Sequence, residues 1–136
     1  LPCAVYVDGQ YGLDGLYATD ATELPAGVQV FELFGSLFFG AVGKIEALPA
    51  QVAEGTRAVV LEMHRLISLD TSGLEALEQL HRALKKRGVA LVVANVNEQP
   101  LSLMRRSGFD AILGEDAIVP TMAAAFDRAE AAESSA

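Results

Sequence analysis

Hydrophobic and polar positions along this chain change their period several times, and each change marks an element. Val28, Val30 and Leu33 flank polar Gln29 and Glu32, the partial alternation of a strand. Phe34-Gly35 then reads as a turn and Ser36 to Phe39 as a second strand, so a hairpin is expected. After Gly40, Ala41, Ile45, Leu48 and Val52 recur at helical spacing, with Pro49 placed to break or kink the helix. Ala58 to Leu61 is an apolar run rich in β-branched residues, as in a strand covered on both faces.

Thr71 to Arg87 carries the strongest helical pattern. Leu74, Leu77, Leu80 and Leu84 line one face, and Glu78 and Arg82 are spaced as a favourable i,i+4 pair. Lys85, Lys86 and Arg87 stand where the helix dipole favours cations, and Gly88 supplies the stop. Val89 to Val96 reads as another buried strand. Pro100 opens a short helix with Leu101, Leu103 and Met104, closed by Gly108. Ala111 to Leu113 is expected as a last short strand, and Met122, Ala125, Phe126 and Ala129 as a final amphipathic helix. Residues 1–25 hold the turn pairs Asp8-Gly9 and Asp14-Gly15 and at most one short strand, Ala4 to Val7; they read as a leader or linker. The division is a leader over 1–25, a domain over 26–130 and a disordered tail over 131–136. Alternating strands and helices give an α/β fold: a mixed, mostly parallel sheet of about four or five strands under about four helices.

Composition narrows the function. A chain of 136 residues, 51% hydrophobic, builds one domain with a real core. Its net charge of −8 argues against nucleic acid or an anionic membrane as partner, since binders of such surfaces carry a basic face. Cys3 is the single cysteine, which excludes a disulfide framework or a Cys-rich metal site and fits the reducing cytoplasm. No run approaches the ~18–20 apolar residues of a transmembrane helix, and the start lacks the pattern of a signal peptide. The chain opens on Leu1 rather than Met, as expected of a piece of a longer protein.

Candidate chemistry gathers between a strand and the best helix, at Asp70, Thr71, Ser72 and Gly73. Loops at the carboxyl ends of parallel strands are where α/β folds place their sites. A phosphate on Ser72 would face the first-turn N–H groups while Asp70 repelled it, so phosphorylation would change the local charge sharply. The plainer reading is a cap: Ser72 and Glu75 have capping-box spacing, and caps far outnumber switch serines. An enzyme is not expected. Ser72 lacks the Gly-x-Ser-x-Gly frame, no P-loop is present, and His64 and His81 sit outside any metal-ligand spacing, as boundary residues.

Asp70-Thr71-Ser72-Gly73-Leu74 resembles the Asp-Ser/Thr-Ser-Gly motif of STAS domains, the family of sulfate transporters and anti-sigma factor antagonists. The resemblance extends over about residues 26–130, through Lys85-Lys86-Arg87-Gly88-Val89, Leu91-Val92-Val93-Ala94 and Leu103-Met104-Arg105-Arg106-Ser107-Gly108-Phe109. In the antagonist branch, the serine at the position of Ser72 is the phosphoacceptor and the loop docks on a kinase-like anti-sigma factor. Leu37-Phe38-Phe39-Gly40 is similar instead to the Gly-Pro-Leu-Phe-Phe segment of the C-terminal STAS domain of SulP anion transporters, with Ser36 in place of the proline. That branch is favoured. It implies a regulatory domain at the inner face of the cell membrane, with the transporter's own membrane domain or a neighbouring subunit as partner. No cofactor is implied beyond weak nucleotide binding, for which the helix start at Gly73 could hold a phosphate.

Two surfaces complete the candidates. Phe34, Phe38 and Phe39 cluster in one segment; those not in the core mark a docking patch. Arg82, Lys85, Lys86 and Arg87 are the largest basic concentration, with helix-end compensation as the first explanation and an acidic partner or the inner membrane surface as the second.

Overall fold

The computed structural model describes residues 4–6, 26–33 and 35–134. Five strands form one sheet in the order β1 (Ala4–Tyr6), β2 (Val28–Glu32), β4 (Ala58–Glu62), β6 (Ala90–Ala94) and β7 (Ile118–Val119). Every pairing in it is parallel, with Glu32 opposite Glu62 and Glu62 opposite Ala94. A second, two-stranded parallel sheet pairs β3 (Gly35–Leu37) with β5 (Leu66–Leu69). The helices are α1 (Val42–Glu46), α2 (Leu48–Gln51), α3 (Thr71–Lys86), α4 (Glu98–Ser107), α5 (Phe109–Leu113) and α6 (Met122–Ser134).

The period-2 geometry of the strands divides the core in two. Phe31, Val59, Leu61, Leu91 and Val93 point to one face and pack under α1, α2, α3, α4 and α5. Val28, Val30, Ala58, Val60, Val92 and Ala94 point to the other, under Met122, Ala125 and Ala129 of α6. Strands buried on both faces explain the unbroken apolar runs.

The expected hairpin does not form. β2 already has parallel partners on both edges, so β3 has no place beside it. The chain instead carries straight on: Leu33 N–H donates to the Glu62 carbonyl at 3.0 Å and Gly35 N–H to the Arg65 carbonyl at 2.8 Å. β3 and β5 thus extend β2 and β4 beyond the carboxyl end of the main sheet. Ile67 is the extra residue where the register slips between Gly35 and Ser36, and it is thrown outward, 69% exposed.

Three other expectations change. Ala111 to Leu113 is not a strand but part of α5, and the last strand is β7; a three-residue apolar run does not carry a period. α4 opens at Glu98, so Pro100 sits inside its first turn, where no intrahelical N–H bond is lost. α6 runs on to Ser134, into the segment read as tail. Pro49 behaves as expected: the helical pattern breaks at Ala47, and Pro49 falls in the first turn of α2. Phe34 and, apart from β1, the leader lie outside the described residues.

Candidate functional site

The sheet extension explains where the motif loop sits. β5 ends at Leu69 and α3 starts at Thr71, so a single residue, Asp70, makes the corner. Asp70 is extended (φ −103°, ψ −178°) and its Oδ1 accepts from the Gly73 N–H at 2.8 Å. This is the N-cap, and it belongs to Asp70 rather than to Ser72. Ser72 is the second helical residue, past the capping position; the Ser72-x-x-Glu75 spacing is real but starts two residues too late. Thr71 is exposed, Ser72 half-buried and Gly73 buried.

Asp70 also reaches across to the aromatic segment. Its Oδ2 accepts from the Phe39 N–H at 3.3 Å, and its own N–H donates to the Leu37 carbonyl at 3.3 Å. The motif loop and the Phe38-Phe39 part of the aromatic group are therefore one site. Phe38 and Phe39 are 47% and 79% exposed, and Phe39, Val42, Ser72 and Glu75 line a shallow cleft between the start of α3 and α1. Neither phenylalanine is core.

Gly73 is a packing residue. A Cβ there would run into the Leu37 carbonyl oxygen and lie 2.8 Å from Leu69 Cδ1 and 2.9 Å from Leu37 Cγ. Only glycine lets the first turn of α3 approach β3 this closely. Its N–H is already bonded to Asp70.

The free edge of β5 is covered by amide side chains. Gln99 accepts from the Leu69 N–H at 2.8 Å and donates to its carbonyl at 3.0 Å, as a neighbouring strand would. Asn97 Nδ2 donates to the His64 and Leu66 carbonyls, both at 2.9 Å. These contacts tie α4 to the loop's supporting strand and blunt an edge that could otherwise pair with another chain.

A polar group that the sequence reading passed over lies at the break between the two sheets. Glu32 and Glu62 close β2 and β4 at matched register and are buried. His64 Nδ1 lies 2.6 Å from Glu62 Oε1 and 3.7 Å from Glu32 Oε2; Arg65 Nε lies 3.7 Å from Glu32. Asn95, at φ 60°, donates to Glu62 Oε2 at 2.5 Å. Ligand atoms of Glu32, Glu62 and His64 fall within 4.8 Å of one another, the one such group among the described residues. Arg65 places a charge beside Glu32, and Asn95 and His64 bond to Glu62, so the group reads as a polar network latching the strand ends. The signal was present: two apolar strands, Val28–Glu32 and Ala58–Glu62, each end in glutamate.

His81 lies against Phe109, ring centroids 6.3 Å apart and edge-on. Burial first, then the charges of Lys85 and Arg82, hold its pKa below 6.5. Among the described residues no helix is long and apolar enough to cross a membrane.

Comparison with known proteins agrees with this architecture. The family model for the STAS domain matches residues 21–125. "Sulfate transporter 1.3" of Arabidopsis thaliana is 38% identical over 69 residues, 51% of this chain and 10% of that protein. "Low affinity sulfate transporter 3" of Stylosanthes hamata is 33% identical over 78 residues, 57% of this chain and 12% of that protein. The chain thus matches about a tenth of the length of these relatives. Among solved structures, a sulfate transporter family protein from Wolinella succinogenes superposes with a TM-score of 0.78 at 26% identity, covering 86% of this chain and 96% of that one. The SulP transporter STAS domain from Vibrio cholerae gives 0.70 at 22%, covering 84% and 89%, a likeness of fold. With the Asp70–Gly73 loop at the start of α3, a parallel sheet and a family match over most of its length, the chain belongs to the STAS domain family.

Proposed function

We propose that this domain is the cytoplasmic regulatory and docking part of a SulP-type anion transporter, at the inner face of the cell membrane. It docks on the transporter's own membrane domain or a neighbouring subunit through Phe38, Phe39 and the rim of the cleft at Ser72. The observation that carries the reading is the convergence of two exposed aromatics and the motif loop on one site, tied through Asp70. Exposed aromatics beside a cleft are what an interface anchor requires. The matches to plant sulfate transporters favour this branch over the free-standing antagonist.

Charge at Ser72 controls the contact. A phosphate there stands at the helix start beside Asp70 and Glu75, where the dipole tolerates it in the free domain. A partner closing over it buries an uncompensated charge, at a cost of several kcal/mol. The domain itself turns nothing over: His64 is engaged with Glu62, His81 rests on Phe109, and neither is bonded to Ser72. With the Gly73 N–H already engaged by Asp70, we expect no more than weak nucleotide binding.

The test is made in the full-length carrier. Phe39→Asp and Ser72→Asp should each lower anion uptake while carrier abundance and the domain's circular dichroism stay unchanged. Wild-type uptake in both would overturn the reading. The antagonist branch is separated by mass spectrometry of Ser72 in cells and by capture of a kinase-like partner that releases the phosphorylated form.

A further inference from the structure

Charge is distributed over this molecule more unevenly than its net value of −8 suggests. Arg82, Lys85 and Lys86 stand exposed on the second half of α3, and Arg105 and Arg106 on the last turn of α4. The His81–Phe109 contact holds these two stretches together, because Phe109 follows α4 directly. Arg65 and Arg128 each have a carboxylate within 4 Å. Among the described residues, none of the five at this pole has one, and their one side-chain bond is a long one, from Arg106 Nε to the Ser102 carbonyl at 3.4 Å. Glu78 and Asp110, the carboxylates nearest in sequence, pair with none of them. The lowered pKa of His81, caused in part by Lys85 and Arg82, reports the same positive field. Ile112 adds an apolar element: it is 61% exposed, one turn beyond Phe109 on α5.

We propose that this pole is a membrane-contact surface, with Arg82, Lys85, Lys86, Arg105 and Arg106 facing anionic lipid headgroups and Ile112 entering the boundary beneath them. Helix-end compensation accounts for cations near a C-terminus but not for five uncompensated ones on two neighbouring helices beside an exposed isoleucine. Screening length at physiological salt is ~8 Å, so acids elsewhere on the molecule hardly weaken the local attraction. Each Lys or Arg near an anionic surface raises partitioning about fivefold. Cations spread over two helix ends suit a plane of phosphates better than one acidic peptide, and an acidic peptide gives Ile112 nothing to do. The inference is separate from the docking role of Phe38 and Phe39 and can fail or hold without it.

The experiment is vesicle flotation with the 136-residue chain. Vesicles of phosphatidylcholine alone are compared with vesicles containing about one-third phosphatidylserine, at low salt and at about 0.5 M salt. Bound protein should rise at least about fivefold with phosphatidylserine at low salt and fall to the neutral-vesicle level at high salt. Lys85→Glu with Arg105→Glu should abolish the gain. Arg128→Gln, on α6 across the sheet, should keep it, and Ile112→Ser should lower binding at both salts. Circular dichroism verifies that each variant is folded. No gain on anionic vesicles, or an unchanged double variant, overturns the proposal. So does binding of soluble polyglutamate without vesicle binding, which would assign the pole to an acidic protein segment.

Discussion

Gly73→Ala isolates what the motif glycine does. The added Cβ meets the Leu37 carbonyl oxygen, Leu37 Cγ and Leu69 Cδ1. Leu69 could rotate away, but the carbonyl is backbone in β3 and already accepts from the Asp70 N–H at 3.3 Å. Relief therefore requires the whole first turn of α3 to lift off the two-stranded sheet. Overpacking of a filled site costs about 1–3 kcal/mol. The gain in helix propensity, at most about 1 kcal/mol, is smaller so close to a helix start. A net loss of about 0.5–2.5 kcal/mol lowers Tm by roughly 2–10 °C in a domain of this size. Gly43→Ala is the control: it is helical, has nothing within 4 Å of its Cβ position and, as the second residue of α1, should gain less than about 0.5 kcal/mol. Urea unfolding of both variants, with unchanged m-values, gives the comparison. If Gly73→Ala matches wild type or Gly43→Ala in stability, close packing is not why glycine stands there.

Three further outcomes follow from the same geometry. Asp70→Ala should cost about 1–2 kcal/mol, because it removes the N-cap and the bond to Phe39, whereas Ser72→Ala should stay within about 0.5 kcal/mol; equal losses would return the cap to Ser72. His81, held below 6.5 by burial, Lys85 and Arg82, favours the fold in its neutral form; that contribution is present above pH 6.5 and is lost as pH falls below it. Wild-type Tm should therefore drop more steeply than that of His81→Gln between pH 6.5 and about 5, and parallel curves would contradict the sign.

Legibility followed how local each determinant is. α3 could be read because one leucine stripe, the cations at its end and Gly88 lie within a single stretch. The buried strands could be read because two-sided burial writes apolar runs. The pairing of β3 could not, since it depends on β1 occupying the other edge of β2, a contact some two dozen residues away. The N-cap was misassigned for a related reason. Ser72 and Asp70 both suit a cap, and only the corner after β5 decides between them. The convergence of Phe39 with Asp70, and of Glu32 with Glu62, is tertiary; the sequence held the residues but not their distances.

α3 also sets the relation between the two proposed surfaces. Its 16 residues span about 24 Å, with Ser72 at one end and Lys85 and Lys86 at the other. Its buried stripe of Leu74, Leu77, Leu80 and Leu84 fixes it against the sheet along that length. Sites that far apart on a rigid element, with no shared partner, should behave independently. Ser72→Asp should therefore leave vesicle flotation at the wild-type level, and Lys85→Glu should leave capture of the membrane domain unchanged. In a double-mutant cycle combining the two, the effects on carrier uptake should add to within about 0.5 kcal/mol. A larger coupling would mean that α3 shifts as a body when the loop is charged, and the domain would then be a lever between membrane and partner rather than two separate contacts on one frame.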